Sequence, residues 1–314
     1  MQQGRGAAMA TSGDTFERKE KKYLLTNAQC AAIKEGLSRR MHLDDYGKTR
    51  IESLYFDTPD RSLICRSLEK PVYKEKLRVR SYESFSKAEV VYVEIKKKFK
   101  GVVYKRRVRM SADGAREYCA RRMTYEQAQT VYPAIEGPDT DLASGKIQIA
   151  REIDAFFDRY ENLQPSMLIS CMREAWCPNN VDEHDCVDRI TFDEEISYVD
   201  LCDGVSAQRR LVTTRGQVVM EIKCGGGYPR WLCDLLDEHG VLPRSFSKYG
   251  NAYKRVVAQR ALVQRGVESQ AVPHRALDPK VPDRIPIRAS KKSISALRAC
   301  IQSIKLSRAN IRAS

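Results

Sequence analysis

The sequence predicts an α+β fold built on antiparallel strands with helices set between them. Two observations predict it. Short runs rich in β-branched and aromatic residues recur along the chain, several of them alternating apolar and charged positions. Neighbouring runs lie close enough for antiparallel pairing, without the long crossovers that parallel strands need.

The elements follow in order. Residues 16–25 (FERKEKKYLL) read as a first strand, and residues 26–40 have helical spacing with Thr26 or Asn27 as cap. Strands are expected near 50–57, 73–82, 89–98 and 102–110, the last two joined at Lys100-Gly101 as a hairpin. One helical stretch is expected over about 111–135 and a second helix over 147–160. Strands resume near 166–174, 187–193, 209–213 and 217–223. Helices near 228–239, stopped by Gly240, and 247–264 close the folded part.

The chain has 314 residues and a net charge of +14, which points to an acidic partner: nucleic acid, a phosphate-rich small molecule or a membrane surface. Residues 1–13 lack the apolar middle of a signal peptide and read as a disordered leader. No run of about 18 apolar residues is present. The domain expected from this pattern spans 14–264. A Pro-rich linker follows at 265–289, then a basic amphipathic tail at 290–314 with Ile294, Leu297, Ile301 and Ile304 on one helical face. The ten cysteines include no CxxC pair, and read as reduced thiols in a cytoplasmic chain. Cys171, Cys177, His184 and Cys186 have spacing that fits no common zinc finger.

Parity carries the functional signal, because successive side chains of a strand point to opposite faces. Lys76, Arg78 and Arg80 oppose Leu77 and Val79. Glu94 and Lys96 oppose Val91, Val93 and Ile95. Lys105, Arg107 and Arg109 share a face on the next strand. Arg189, Thr191 and Asp193 oppose Ile190 and Phe192, and Glu221 and Lys223 oppose Val218, Met220 and Ile222. A sheet with one solvated face shows the same alternation. Here, however, the polar faces are dominated by Arg and Lys, and a Glu sits two residues before a Lys in both halves. If the sheet closes into a barrel, such an interior requires an anion to fill it. A triphosphate or a polyphosphate chain suits it, since guanidinium forks bind phosphate oxygens in pairs, with the carboxylates free to hold a hard divalent cation. No GxxxxGK[ST] loop, no GxGxxG after a strand and no Ser/His/Asp or Cys/His arrangement is found.

The combination ERKEKKYLL, LYFDTPD, LRVRSY, VEIKKK followed by YKRR, MREAW, DRITFDEE, MEIK and SFSKYGNAY resembles the VTC (vacuolar transporter chaperone) polyphosphate polymerase domain, a triphosphate tunnel metalloenzyme, over about residues 14–260. The resemblance implies an antiparallel β-barrel tunnel with peripheral helices. It implies transfer of the ATP γ-phosphate onto a growing polyphosphate chain, with Mn2+ or Mg2+. It assigns phosphate contacts and catalysis to Lys22, Arg78, Arg80, Lys96, Lys105, Arg173, Arg189 and Lys248. It gives the metal to Glu221, with Glu20 assisting, and places Arg107 and Lys223 beside them as cofactor-binding residues. One lysine of some relatives is Ser245 here, next to Arg244. Two competing readings are a tunnel-fold triphosphatase and a non-enzymatic module binding polyphosphate or nucleic acid. The carboxylates and the scarcity of interleaved aromatics argue against nucleic acid. Contact with a membrane or a protein is expected to fall to the tail or to a partner.

Overall fold

A computed structural model describes residues 19–100, 102–134, 144–179, 187–202 and 208–264. The leader, the linker, the tail, and His184 and Cys186 lie outside them.

The core is one antiparallel sheet. Its strands are β1 (Lys19–Thr26), β2 (Met41–Leu43), β3 (Thr49–Asp57), β4 (Tyr73–Ser81), β5 (Val90–Phe99), β6 (Val102–Ser111), β7 (Gln164–Pro178), β8 (Val187–Asp200), β9 (Arg210–Leu211) and β10 (Gln217–Cys224). The pairing order is β1-β10-β8-β7-β3-β4-β5-β6, with β2 on β7 and β9 on β8. The helices are α1 (Asn27–Leu37), α2 (Ser62–Leu68), α3 (Ala112–Cys119), α4 (Tyr125–Val131), α5 (Ser144–Arg159), α6 (Arg230–Glu238) and α7 (Lys248–Gln264).

The sheet is curled. β1 and β5 stand near opposite ends of the pairing order, yet Lys96 on β5 acts electrostatically on Glu20 and Lys22 of β1. Among the described residues no hydrogen-bonded ladder joins β1 to β6, so the tunnel is an incompletely closed barrel. Glu195 sits at φ 49° where the β7–β8 register breaks, a bend consistent with a bulge that sharpens the curl.

Three apolar clusters fix which face is which. Leu77, Val79, Val91, Val93, Ile95, Val108 and Met110 pack behind β4–β6 against α3, α4 and α5. Tyr23, Leu25, Ile190, Phe192, Met220 and Ile222 pack behind β1, β8 and β10 against α1 and α6. These are the apolar faces that parity assigns, so the charged faces turn into the curl. The third cluster closes part of the inner face with α2 and α7, through Tyr55, Ile64, Cys171, Val219, Tyr249 and Ala252.

Local chemistry accounts for several boundaries. Thr26 caps α1 in a reciprocal box with Gln29, and Ser111 caps α3 through Gly114 N–H. The single stretch expected over 111–135 is two helices: α3 ends after Cys119, and Thr124 starts α4 with its own capping box. Helix α2 was not expected; its first turn is held by side chains set back from it, Thr58 accepting from the backbone N–H of Ser62. Buried Asp57, on β3, accepts from the backbone N–H of Leu63 and Ile64. β7 and β8 run longer than expected, to Pro178 and Asp200, and β2 is an addition.

Candidate functional site

Each long strand of the curl contributes inward side chains. Register places Lys76 opposite Lys96 and Lys96 opposite Lys105, a row of like charges across β4, β5 and β6. Such neighbours repel. Lys105 pairs with Glu94 at 2.8 Å. Burial lowers the pKa of Lys76 to about 8, with Lys74, Lys96 and Lys22 adding to it and Tyr55 opposing. Burial lowers Lys96 as well, with Glu20 opposing and Lys22 and Arg78 adding to it. Unlike Lys105, neither Lys76 nor Lys96 has a carboxylate within ion-pair distance among the described residues.

Glu94 is the hub of this wall. Its side chain is 1% exposed, and its oxygens take Arg78 Nε at 2.7 Å and Lys105 Nζ at 2.8 Å, with Arg80 Nε at 3.9 Å. Burial would raise its carboxyl, but Arg78, Arg80 and Lys105 outweigh it and hold the group at about 2. Arg78 also donates to the Tyr55 hydroxyl at 3.0 Å, and Arg80 to Ser53 Oγ at 3.3 Å. Arg107 stacks over Tyr92, 4.3 Å from the ring centre.

The opposite wall has a second buried carboxylate. Asp193 is fully buried and takes Arg173 in a fork, Nε at 2.6 Å and an Nη at 2.7 Å, together with Lys248 from the first turn of α7. Burial opposes its ionisation, but Lys248 and Arg173 hold the carboxyl well below the usual range. Arg189 reaches Asp44.

Between the walls, Lys22 stands between Glu20 at 3.0 Å and Glu221 at 3.6 Å, and Lys223 is 3.6 Å from Glu221. Glu20 is held at about 2: burial would raise it, and Lys22, Lys96 and Lys223 prevail. Lys22 is raised, the two glutamates outweighing its burial. Glu20 and Glu221 bring carboxylate oxygens, the hard donors a magnesium-like ion takes, onto adjacent strands.

The curl therefore carries all the residues the sequence singles out: Lys22, Glu20, Arg78, Arg80, Lys96, Lys105, Arg107, Arg173, Arg189, Glu221, Lys223 and Lys248. Arg189 stands toward one end, its side chain 43% exposed. Parity had placed Glu94 and Asp193 among the inward carboxylates free to hold a divalent cation, whereas both are engaged by arginine and lysine. Tyr55 had gone unnoticed, because its run LYF reads as plain core. Of the four residues with cysteine and histidine spacing, Cys171 is buried in the cluster under α7, Cys177 pairs with His42 of β2, and His184 and Cys186 lie outside the described residues.

The model of the VTC domain family matches residues 17–257. The chain belongs to the VTC domain family. Among solved structures, it is similar to a candidate adenylate cyclase from Vibrio parahaemolyticus, at 11% identity and a TM-score of 0.37, over 77% of this chain and 97% of that one. It is also similar to a candidate adenylate cyclase from Bacillus halodurans, at 14% identity and a TM-score of 0.35, over 82% and 96%. Likeness this distant carries no weight for function. No curated protein matches the sequence.

Proposed function

We propose that this VTC-family chain is a polyphosphate polymerase, transferring the γ-phosphate of ATP to the end of a polyphosphate chain inside the curl. The observation that carries the reading is the like-charged row Lys76–Lys96–Lys105. It lies on a face where cations outnumber carboxylates and where, among the described residues, Lys76 and Lys96 have no carboxylate in contact. A densely charged linear anion turns that repulsion into binding energy.

A divalent cation fits as a phosphate-bridging ion. Among the described residues no cluster of three or more His, Cys, Asp or Glu exists, which argues against an all-protein cage. Glu20 and Glu221 together supply the one or two carboxylates such an ion takes when phosphate and water complete its shell. When bound there it would neutralise charge on the triphosphate.

The residues then act as follows. Arg78 and Arg80, held by Glu94, Tyr55 and Ser53, present guanidinium edges to phosphate oxygens, and Arg173 and Lys248, fixed by Asp193, do so from the other wall. A terminal oxygen of the acceptor chain attacks the γ-phosphorus. A new P–O–P bond forms, the bond from the γ-phosphorus to the β,γ-bridging oxygen breaks, and ADP leaves with that electron pair. The acceptor phosphate is already ionised at neutral pH, so no protein base or nucleophile is required. Alignment and charge neutralisation supply the catalysis, as in phosphoryl transfer generally. The proposed compartment is the cytoplasm, with any membrane contact falling to a partner or the basic tail. No described helix is long and apolar enough to cross a membrane.

Incubation with ATP and Mn2+, followed by a gel stained for polyphosphate, tests the reading. A ladder of long chains supports it; orthophosphate alone supports a triphosphatase, and no ATP consumption with or without primer supports a binding module.

A further inference from the structure

Strand β3 brings no cation to the inner face of the curl. Its inward positions Ile51, Ser53 and Tyr55 are flanked by the cations of β4, and its inward Asp57 is taken up by Tyr249 and the start of α2. Tyr55 is 8% exposed. Its ring stacks on Tyr249 of α7, centroids 4.7 Å apart and planes 22° apart, so the hydroxyl has a fixed position. The oxygen accepts from Arg78 at 3.0 Å. Its partner across the strands is Arg78, and Arg80, Lys76 and Lys22 all act on it electrostatically. Arg78, Arg80, Lys76 and Lys22 thus surround this hydroxyl with positive charge, and Glu94 is engaged by Arg78. The Tyr249 hydroxyl points elsewhere and donates to Asp57 at 2.7 Å. The oxygen of Tyr55 is used, and among the described residues its proton has no acceptor within hydrogen-bond distance.

We infer that Tyr55 is a further substrate-contacting residue, whose O–H donates to a phosphate oxygen of the bound anion while its oxygen holds Arg78 in place. The inference rests on the reading of the curl as a triphosphate or polyphosphate site. It assigns to β3 a neutral donor that helps where an added cation would only increase repulsion. Burial would raise the phenol, and Arg78, Arg80 and Lys76 overcome it, setting it at about 8. An anion accepting the O–H bond favours the protonated phenol, so binding pushes that ionisation upward.

The test uses the full chain and inorganic tripolyphosphate, with EDTA present to prevent turnover. Calorimetry compares wild type with Tyr55→Phe, which keeps the ring stack. A lost bond to a charged oxygen weakens binding roughly ten- to a hundredfold. Absorbance at 295 nm follows tyrosine ionisation with and without ligand. The wild-type-minus-variant difference isolates Tyr55, which titrates near 8 in the free protein and higher in the complex. Should the variant not fold, the ligand-dependent shift in wild type tests the inference alone. Equal affinity of the two proteins, or an ionisation that tripolyphosphate leaves in place, overturns it. A wild type that does not bind tripolyphosphate overturns instead the reading of the site on which the inference stands.

Discussion

Glu94→Gln removes the charge on which the β4–β6 wall converges. In wild type this carboxylate is 1% exposed and in contact with Arg78 and Lys105, with Arg80 3.9 Å away. A group held at about 2 rather than 4.5 stabilises the folded state by about 3 kcal/mol, at ~1.4 kcal/mol per pH unit. Breaking a buried pair from one side costs a similar amount, about 3–5 kcal/mol, because the partner charges stay buried. For a domain of this size that lowers Tm by about 6–20 °C. The sign with pH is fixed: the folded pKa is depressed, so the stabilisation is present above pH 4.5 and is lost as pH falls toward 2. Thermal melts of both proteins at pH 7.5, and at steps below pH 4.5, check it. The gap is expected to be wide at pH 7.5 and to narrow in acid. Tripolyphosphate is expected to raise the Tm of the variant more than that of wild type, since the anion replaces the missing charge. A variant melting within about 1 °C of wild type at pH 7.5, or a gap that does not narrow in acid, would refute the reasoning.

Three further outcomes follow from the same geometry. Lys76→Met removes a buried cation whose folded pKa is depressed to about 8; below that pH the variant should melt several degrees above wild type, with the advantage shrinking as pH rises from 8 toward 10.5, yet bind tripolyphosphate more weakly by calorimetry. Glu221→Gln should abolish ATP turnover with a melt close to wild type, and retained metal-dependent turnover would remove Glu221 from the mechanism. Arg78→Ala should weaken tripolyphosphate binding at least tenfold, and unchanged binding would place that face outside the site.

The strand period made most of the site legible. A side chain two residues from an inward cation is itself inward, so Arg78, Arg80, Lys96, Lys105, Arg189, Glu221 and Lys223 could be assigned to one face from alternation alone. That argument says nothing about partners across the curl. The roles of Glu94 and Asp193 as buried hubs arise from tertiary convergence: Arg78 on β4 meets Lys105 on β6, and Arg173 on β7 meets Lys248 on α7. Tyr55 escaped notice for a related reason. β3 is buried on both faces, its inner one partly by α7, so it lacks the regular apolar–charged alternation that marks the other strands. Helix α2 was missed because the side chains that hold its first turn, Asp57 and Thr58, are set back from it. Barrel closure could not be read from the sequence either; curl comes from register and bulges, and β1 and β6 end the pairing order with no ladder between them among the described residues.

The central claim is that the γ-phosphate ends in a new P–O–P bond rather than in water. The full chain incubated with γ-labelled ATP, Mn2+ and a short polyphosphate primer, with label then counted separately in chains and in orthophosphate, tests this most directly. The account predicts label in chains that lengthen with time, matched one-for-one by ADP. Label recovered only as orthophosphate would contradict it.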